Sequence, residues 1–227
     1  MGVLCHFVAA LSYVFYDPIL SPALIVEVGV GHDICGLCFA MMSLFYAIGC
    51  VVMGKLSSKV DKRILISMSF FLVSASIYFS GGLPSKSVVA TMIGLAGVGF
   101  FYSGCLLPVI PEIINIMQAD FESVKEKERK LLDEEDDYKF GPDALLESIR
   151  DDPGKNNITD KTMALLAISY AFGSITGPIV GGWLFDMDGF GFTTFCISVV
   201  AMIWFFSYTI IVFIGDCSLE STEALQE

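Results

Sequence analysis

The chain has 227 residues, 55% of them hydrophobic and only 17% charged, with a net charge of −12; a soluble domain of that length carries about a quarter charged residues. Of the 38 charged residues (13 basic plus 25 acidic), 23 lie between Glu112 and Lys161, and the windows 34–54, 64–85, 87–111, 162–185 and 189–215 contain none. An uncharged apolar run of about 20 residues spans the ~30 Å hydrocarbon core as a helix, so this distribution excludes a soluble globular enzyme, and an acidic balance with no basic face excludes a nucleic-acid binder.

The pattern predicts an all-α integral membrane bundle of six helices, at 3–30, 33–54, 64–83, 88–111, 162–185 and 190–214. The first apolar stretch is too long for a secretory h-region and has no basic n-region before it, so it is expected to be a membrane helix rather than a leader. It carries Asp17 roughly 21 Å along its axis, past the midplane but inside the bilayer. An intramembrane carboxylate is costly and normally faces a cavity or a partner. Pro18 follows it and Pro22 comes one turn later, which predicts a broken helix with an acid at the bend. Two readings of Asp17 stand: a cation or proton site, or an acid near a helix end that reaches water. Glu27, at the outer end, reads as an interfacial acid. Tyr13 and Tyr16 precede Asp17 by one turn and by one residue, and Tyr13 can share its helix face; aromatics beside a carboxylate suit an organic amine through cation–π contact, and suit an interfacial aromatic belt as well.

The second helix holds Cys35 and Cys38 in a C-x-x-C. With His32 they make three ligands, one short of a zinc site, so they read as packing thiols, like Cys5, Cys50, Cys105 and Cys196. The loop at 55–63 carries Lys55, Lys59, Lys62 and Arg63 against one acid, Asp61. The fourth helix combines Gly94, Gly97 and Gly99 with Pro108 and Pro111, a composition that fits a flexible element lining a cavity. Tyr102 is its one strongly polar aromatic, and Glu112 stands at its end within reach of the basic loop.

Residues 112–161 are the one polar region, with 15 acids and 8 bases. The run 122–139 reads as a solvated helix or a disordered tether. Pro142 can start a short helix through Arg150, with Leu145, Leu146 and Ile149 on one side. The fifth helix has Gly173, Gly177, Pro178, Gly181 and Gly182. The first, second and fourth of these fall on one face that Ser169 extends, a small-x3-small stripe that admits another helix backbone. Asp186, Asp188 and Gly189 form a turn; they lack the remaining ligands of a calcium loop. No cofactor or metal is expected, and no Ser/His/Asp set, Walker loop or H-E-x-x-H supports an enzyme.

The connections 31–32, 84–87 and 186–189 fall on one side of the membrane; 55–63, 112–161 and both termini fall on the other. Lys and Arg then divide twelve to one, Lys86 being the exception, which places the rich side in the cytosol. The sequon at Asn157 is then cytosolic and expected to be unused. The organisation is thus 1–111 (helices 1–4), an acidic cytosolic loop at 112–161, helices 5 and 6 at 162–214, and a cytosolic tail at 215–227.

These features resemble the carboxyl-terminal half of a major facilitator superfamily transporter. Gly54, Lys59, Lys62 and Arg63 match in type the cytosolic signature G-x3-D-R-x-G-R-K, with Ser58 in place of its acid and Asp61 in place of a glycine. The run Gly173, Gly177, Pro178, Gly181, Gly182 is similar to the antiporter-type motif. Asp17–Pro18, Gly97–Gly99–Phe100 and Pro108–Pro111–Glu112 resemble the seventh and tenth helices of the vesicular amine transporters, most of all their polyamine-transporter-like branch. The embedded acids of the monoamine members are absent from helices 4 and 5. The resemblance implies a proton-coupled antiporter of small organic cations working by alternating access. Asp17, Tyr13, Tyr16 and Tyr102 would form its substrate or proton site and Gly54, Lys59, Asp61, Lys62 and Arg63 its gating loop. It implies a vesicular, endomembrane or plasma membrane, with the lipid bilayer and a second six-helix half as partners. The rival expectation is a non-transporting membrane scaffold, a half-bundle serving as a subunit of a larger assembly.

Overall fold

The structure, a computed structural model, describes residues 2–81, 87–117 and 153–223. Among the described residues the chain is helical almost throughout, with no strand, and five helices are long and apolar enough to cross a membrane, as a multi-pass membrane protein requires. The run 122–139 and the segment from Pro142 to Arg150 lie outside the described residues.

The first span, Gly2–Glu27, is three pieces. Helix α1 (Gly2–Val14) ends one residue before Phe15; α2 (Tyr16–Pro22) follows; a wider π-helical turn, Ala23–Val28, completes it. The breaks fall where proline chemistry puts them. Pro18 sits in the first turn of α2, where a missing N–H costs nothing, and Pro22 precedes the π turn. Gly29 ends the segment in the left-handed region, at φ 75°. Its N–H and that of Val30 return to the Leu24 carbonyl, a termination that L side chains resist.

Helix α3 runs His32–Leu56, α4 Lys62–Gly81 and α5 Val88–Leu106. The expected end of the fourth helix at residue 111 is corrected: after a turn at Leu107–Pro108 the helix resumes and reaches Met117. Pro111 falls in the first turn of that restart, where its ring is tolerated. Helix α6 spans Pro153–Glu223 and breaks at Asp188 (φ −152°, ψ 23°) and Gly189 (φ 78°, ψ −168°). Both ends of the expected polar segment are therefore helical, at 112–117 and 153–161, and helix continues past residue 214 into the expected tail.

Pairwise contacts give the directions. The arm of α6 before the break runs parallel to α1: Gly173 lies against Phe7 and Ala10, and Gly181 against Phe15. The arm after it runs antiparallel to α4, with the Ser74 hydroxyl donating to the Ser198 carbonyl at 2.8 Å and Ser67 bonded to Thr209 at 2.6 Å. The chain thus reverses at Asp188–Gly189. Helix α5 is the hub, packed on α3, α4 and α1, and its apolar window is 61% buried against 22% for α3. Close packing is written in small residues: Gly94 meets Ser80, Gly97 meets Ser76, and Gly99 meets Met42 and Tyr46. Side chains such as Leu44, Val51, Ile179 and Trp183 face outward, as they must in lipid.

Glu27 fastens the turn between the two arms. Its Oε1 accepts the Phe190 backbone N–H at 2.9 Å, at the N-terminus of the second arm. A carboxylate there satisfies a helix-end donor and meets the positive end of the dipole. Glu27→Ala is expected to destabilise the chain by about 1 kcal/mol, read as a lower thermal midpoint in detergent. An unchanged midpoint would remove the cap from the account.

Candidate functional site

Three helices bring tyrosines together. Tyr13 of α1 stacks on Tyr102 of α5, ring centroids 4.3 Å apart and 16° from parallel. Tyr46 of α3 completes the trio, 6.2 Å from Tyr13 and 5.6 Å from Tyr102. Tyr13 and Tyr46 are half-buried and Tyr102 is 3% exposed. The Tyr102 hydroxyl is buried without a hydrogen-bond partner, which is costly unless something else reaches it. Sequence reasoning found Tyr13 and Tyr102 and missed Tyr46. The signal was present: Tyr46 is the lone tyrosine in the charge-free window 34–54.

Asp17 lies one turn beyond Tyr13, in the first turn of α2, with its side chain exposed. No hydrogen bond or ion pair joins it to another described residue. A carboxylate exposed this far along a membrane helix does not face hydrocarbon. Its face, shared with Tyr13, is closed by water or by protein.

Tyr16 goes elsewhere. It is fully buried, packed on Phe15 and Phe190, and its hydroxyl lies 2.5 Å from Ser80 Oγ. Because Ser80 donates to the Ile77 carbonyl, Tyr16 donates to Ser80. The expected place of Tyr16 beside Asp17 is therefore corrected: neighbouring helix residues point about 100° apart, and Tyr16 points into the core. Tyr16→Phe is expected to cost about 1 kcal/mol of stability while any function of the Asp17 face is retained; loss of function at full stability would return Tyr16 to the site.

The basic loop is tied to the end of the hub helix. Arg63 Nε donates to Glu112 Oε1 at 3.0 Å. Arg63 is 40% exposed, so the pair contributes under about 1 kcal/mol, and its value is positional. Gly54, Lys59 and Asp61 are exposed, and a Cβ on Gly54 would meet nothing within 4 Å. Gly173, Gly177 and Gly181 pack against the first span from Phe7 to Phe15, whereas Gly182 faces open space. Pro178 lies within the same arm. Cys35 and Cys38 are buried free thiols, and among the described residues no cluster of His, Cys, Asp and Glu could hold a metal ion.

No protein-family model matches the chain, and no curated protein matches it.

Proposed function

We propose that the chain is one six-helix bundle of a secondary transporter of the major facilitator type, carrying small organic cations such as amines or polyamines in exchange for protons. The observation that carries this reading is Asp17 itself, exposed within a membrane span one turn from a three-helix tyrosine cluster. A protonated amine at the carboxylate would meet its charge and the half-buried Tyr13 ring one turn away, an arrangement that suits few other small ligands.

The packing supports the same reading. Counting the two arms of α6 separately gives six legs that alternate in direction. The first leg packs on the fifth, the second on the fourth and the third on the sixth; the third also packs on the fourth, as the first meets the sixth through Tyr16 and Phe190. Exchange the first three legs with the last three and these pairings map onto themselves, which is the mark of a nested inverted repeat. The face bearing Asp17 is then the one that a second six-helix bundle closes. The two bundles rock about the site, the loop from Gly54 to Arg63 latches the cytosolic side, and the glycine seam keeps α1 and α6 together. Both termini lie in the cytosol in this arrangement, in a vesicular, endomembrane or plasma membrane.

Equilibrium binding of a labelled polyamine and a labelled aromatic monoamine to the protein in nanodiscs tests the site. Saturable binding that weakens at least tenfold in Tyr13→Leu is the expected result. Binding of neither, with stable partner proteins co-purifying, favours the membrane scaffold.

A further inference from the structure

His6 lies one turn in from the start of α1 and is 8% exposed. Its Nδ1 is buried with no hydrogen-bond partner. Against the ring stands Tyr170 of α6, centroids 6.0 Å apart in an edge-on contact. An imidazole nitrogen sealed in this way is expensive to keep as mere packing, since a leucine or phenylalanine fills such a place without a stranded acceptor.

The position of His6 on α1 gives it a context. Residues 6, 10, 13 and 17 are spaced four, three and four apart, so His6, Ala10, Tyr13 and Asp17 share one helix face. His6 and Asp17 are about 16 Å apart along the axis. Between them Ala10 meets Gly173 of α6, and Tyr13 meets Tyr102 and Tyr46. From α6, Tyr170 faces the ring; Cys105 of α5 and Tyr208 of α6 stand near the neighbouring Cys5, and Tyr102 lies further along the span at Tyr13.

We propose that His6 is a second proton-binding site, working with Asp17 from the same face of α1. The proposal rests on the transporter reading above. The step is simple to balance: the lone pair of a neutral ring nitrogen takes up a proton from the acid side of the membrane, giving imidazolium, and releases it to the opposite side later in the cycle. Asp17 exchanges one proton for the organic cation, and His6 carries another.

The test is amine accumulation in sealed vesicles under a pH gradient of one unit. Each coupled proton contributes a tenfold concentration ratio per unit of gradient. His6→Gln is expected to lower the accumulation ratio about tenfold, while exchange at equal pH on both sides stays within twofold of wild type. Undiminished accumulation in His6→Gln would overturn the site. Wild-type vesicles that accumulate nothing would instead sink the transporter reading, and His6 is then decided directly. The chain has two histidines, so with the exposed His32 replaced by Gln, nitrogen NMR of the labelled protein in nanodiscs reads His6 alone. A ring that takes up a proton between pH 5 and 8 keeps the site; a ring that stays neutral removes it. The same spectrum decides the matter if His6→Gln fails to fold.

Discussion

Asp17→Asn is expected to reduce organic-cation uptake at least tenfold and to weaken its dependence on a pH gradient, with no loss of the chain from the membrane. The asparagine keeps the shape and removes the charge. A hydrogen bond to a charged group contributes about 1.5–3 kcal/mol, which is a ten- to hundredfold change in affinity. No other described residue pairs with Asp17, so the substitution breaks no internal contact. Asparagine keeps a polar side chain of the same shape at an exposed position, so the variant is expected to be as stable as the parent. That pairing of effects, function lost and stability kept, separates a site from a structural acid. Uptake at the parental rate in Asp17→Asn would take Asp17 out of the mechanism.

The second large effect lies in the glycine seam. At Gly173 an added Cβ would stand 2.6 Å from the Ala10 side chain and 2.7 Å from the Phe7 carbonyl oxygen. Neither can yield without moving α1. Gly173→Leu is expected to destabilise by about 3 kcal/mol or more, at the upper end of overpacking costs, and to separate α1 from α6. Gly182→Leu is the control. Nothing lies within 4 Å of a Cβ there, and the gain in helix propensity is up to about 1 kcal/mol. Thermal unfolding in detergent should drop for the first variant and hold or rise for the second. Equal midpoints would mean that the seam does not hold the two helices together.

The membrane helices were legible in the sequence because hydrocarbon imposes a rule that composition alone expresses: about 20 residues without charge. Less legible were the places where proline acts. Pro108 and Pro111 read as a helix end, yet a proline in the first turn of a restarted helix is no obstacle, and α5 continues to Met117. Gly173, Gly177 and Gly181 announced that another backbone comes close; that it is the first span, from Phe7 to Phe15, depends on the global packing of six legs and on no local signal. Tyr13, one turn before Asp17, could share its helix face, and it joins the cluster; Tyr16, one residue before Asp17, points into the core against Ser80, a partner 64 positions away. Tyr46 was overlooked because it sits amid apolar residues of α3, where its partners come from two other helices.

Arg63 and Glu112 show the converse. A basic loop and a distant acid, 49 positions apart, meet at 3.0 Å. The sequence suggested that pairing because few charges lie near the membrane boundary and opposite signs there have few other choices.

Uptake of a labelled amine into sealed membrane vesicles carrying the chain, with an acid interior, tests the central claim most directly. The transporter reading predicts accumulation above the external concentration that collapses when a protonophore dissipates the gradient. Equilibration to no more than the external concentration, unchanged by the protonophore, would contradict it.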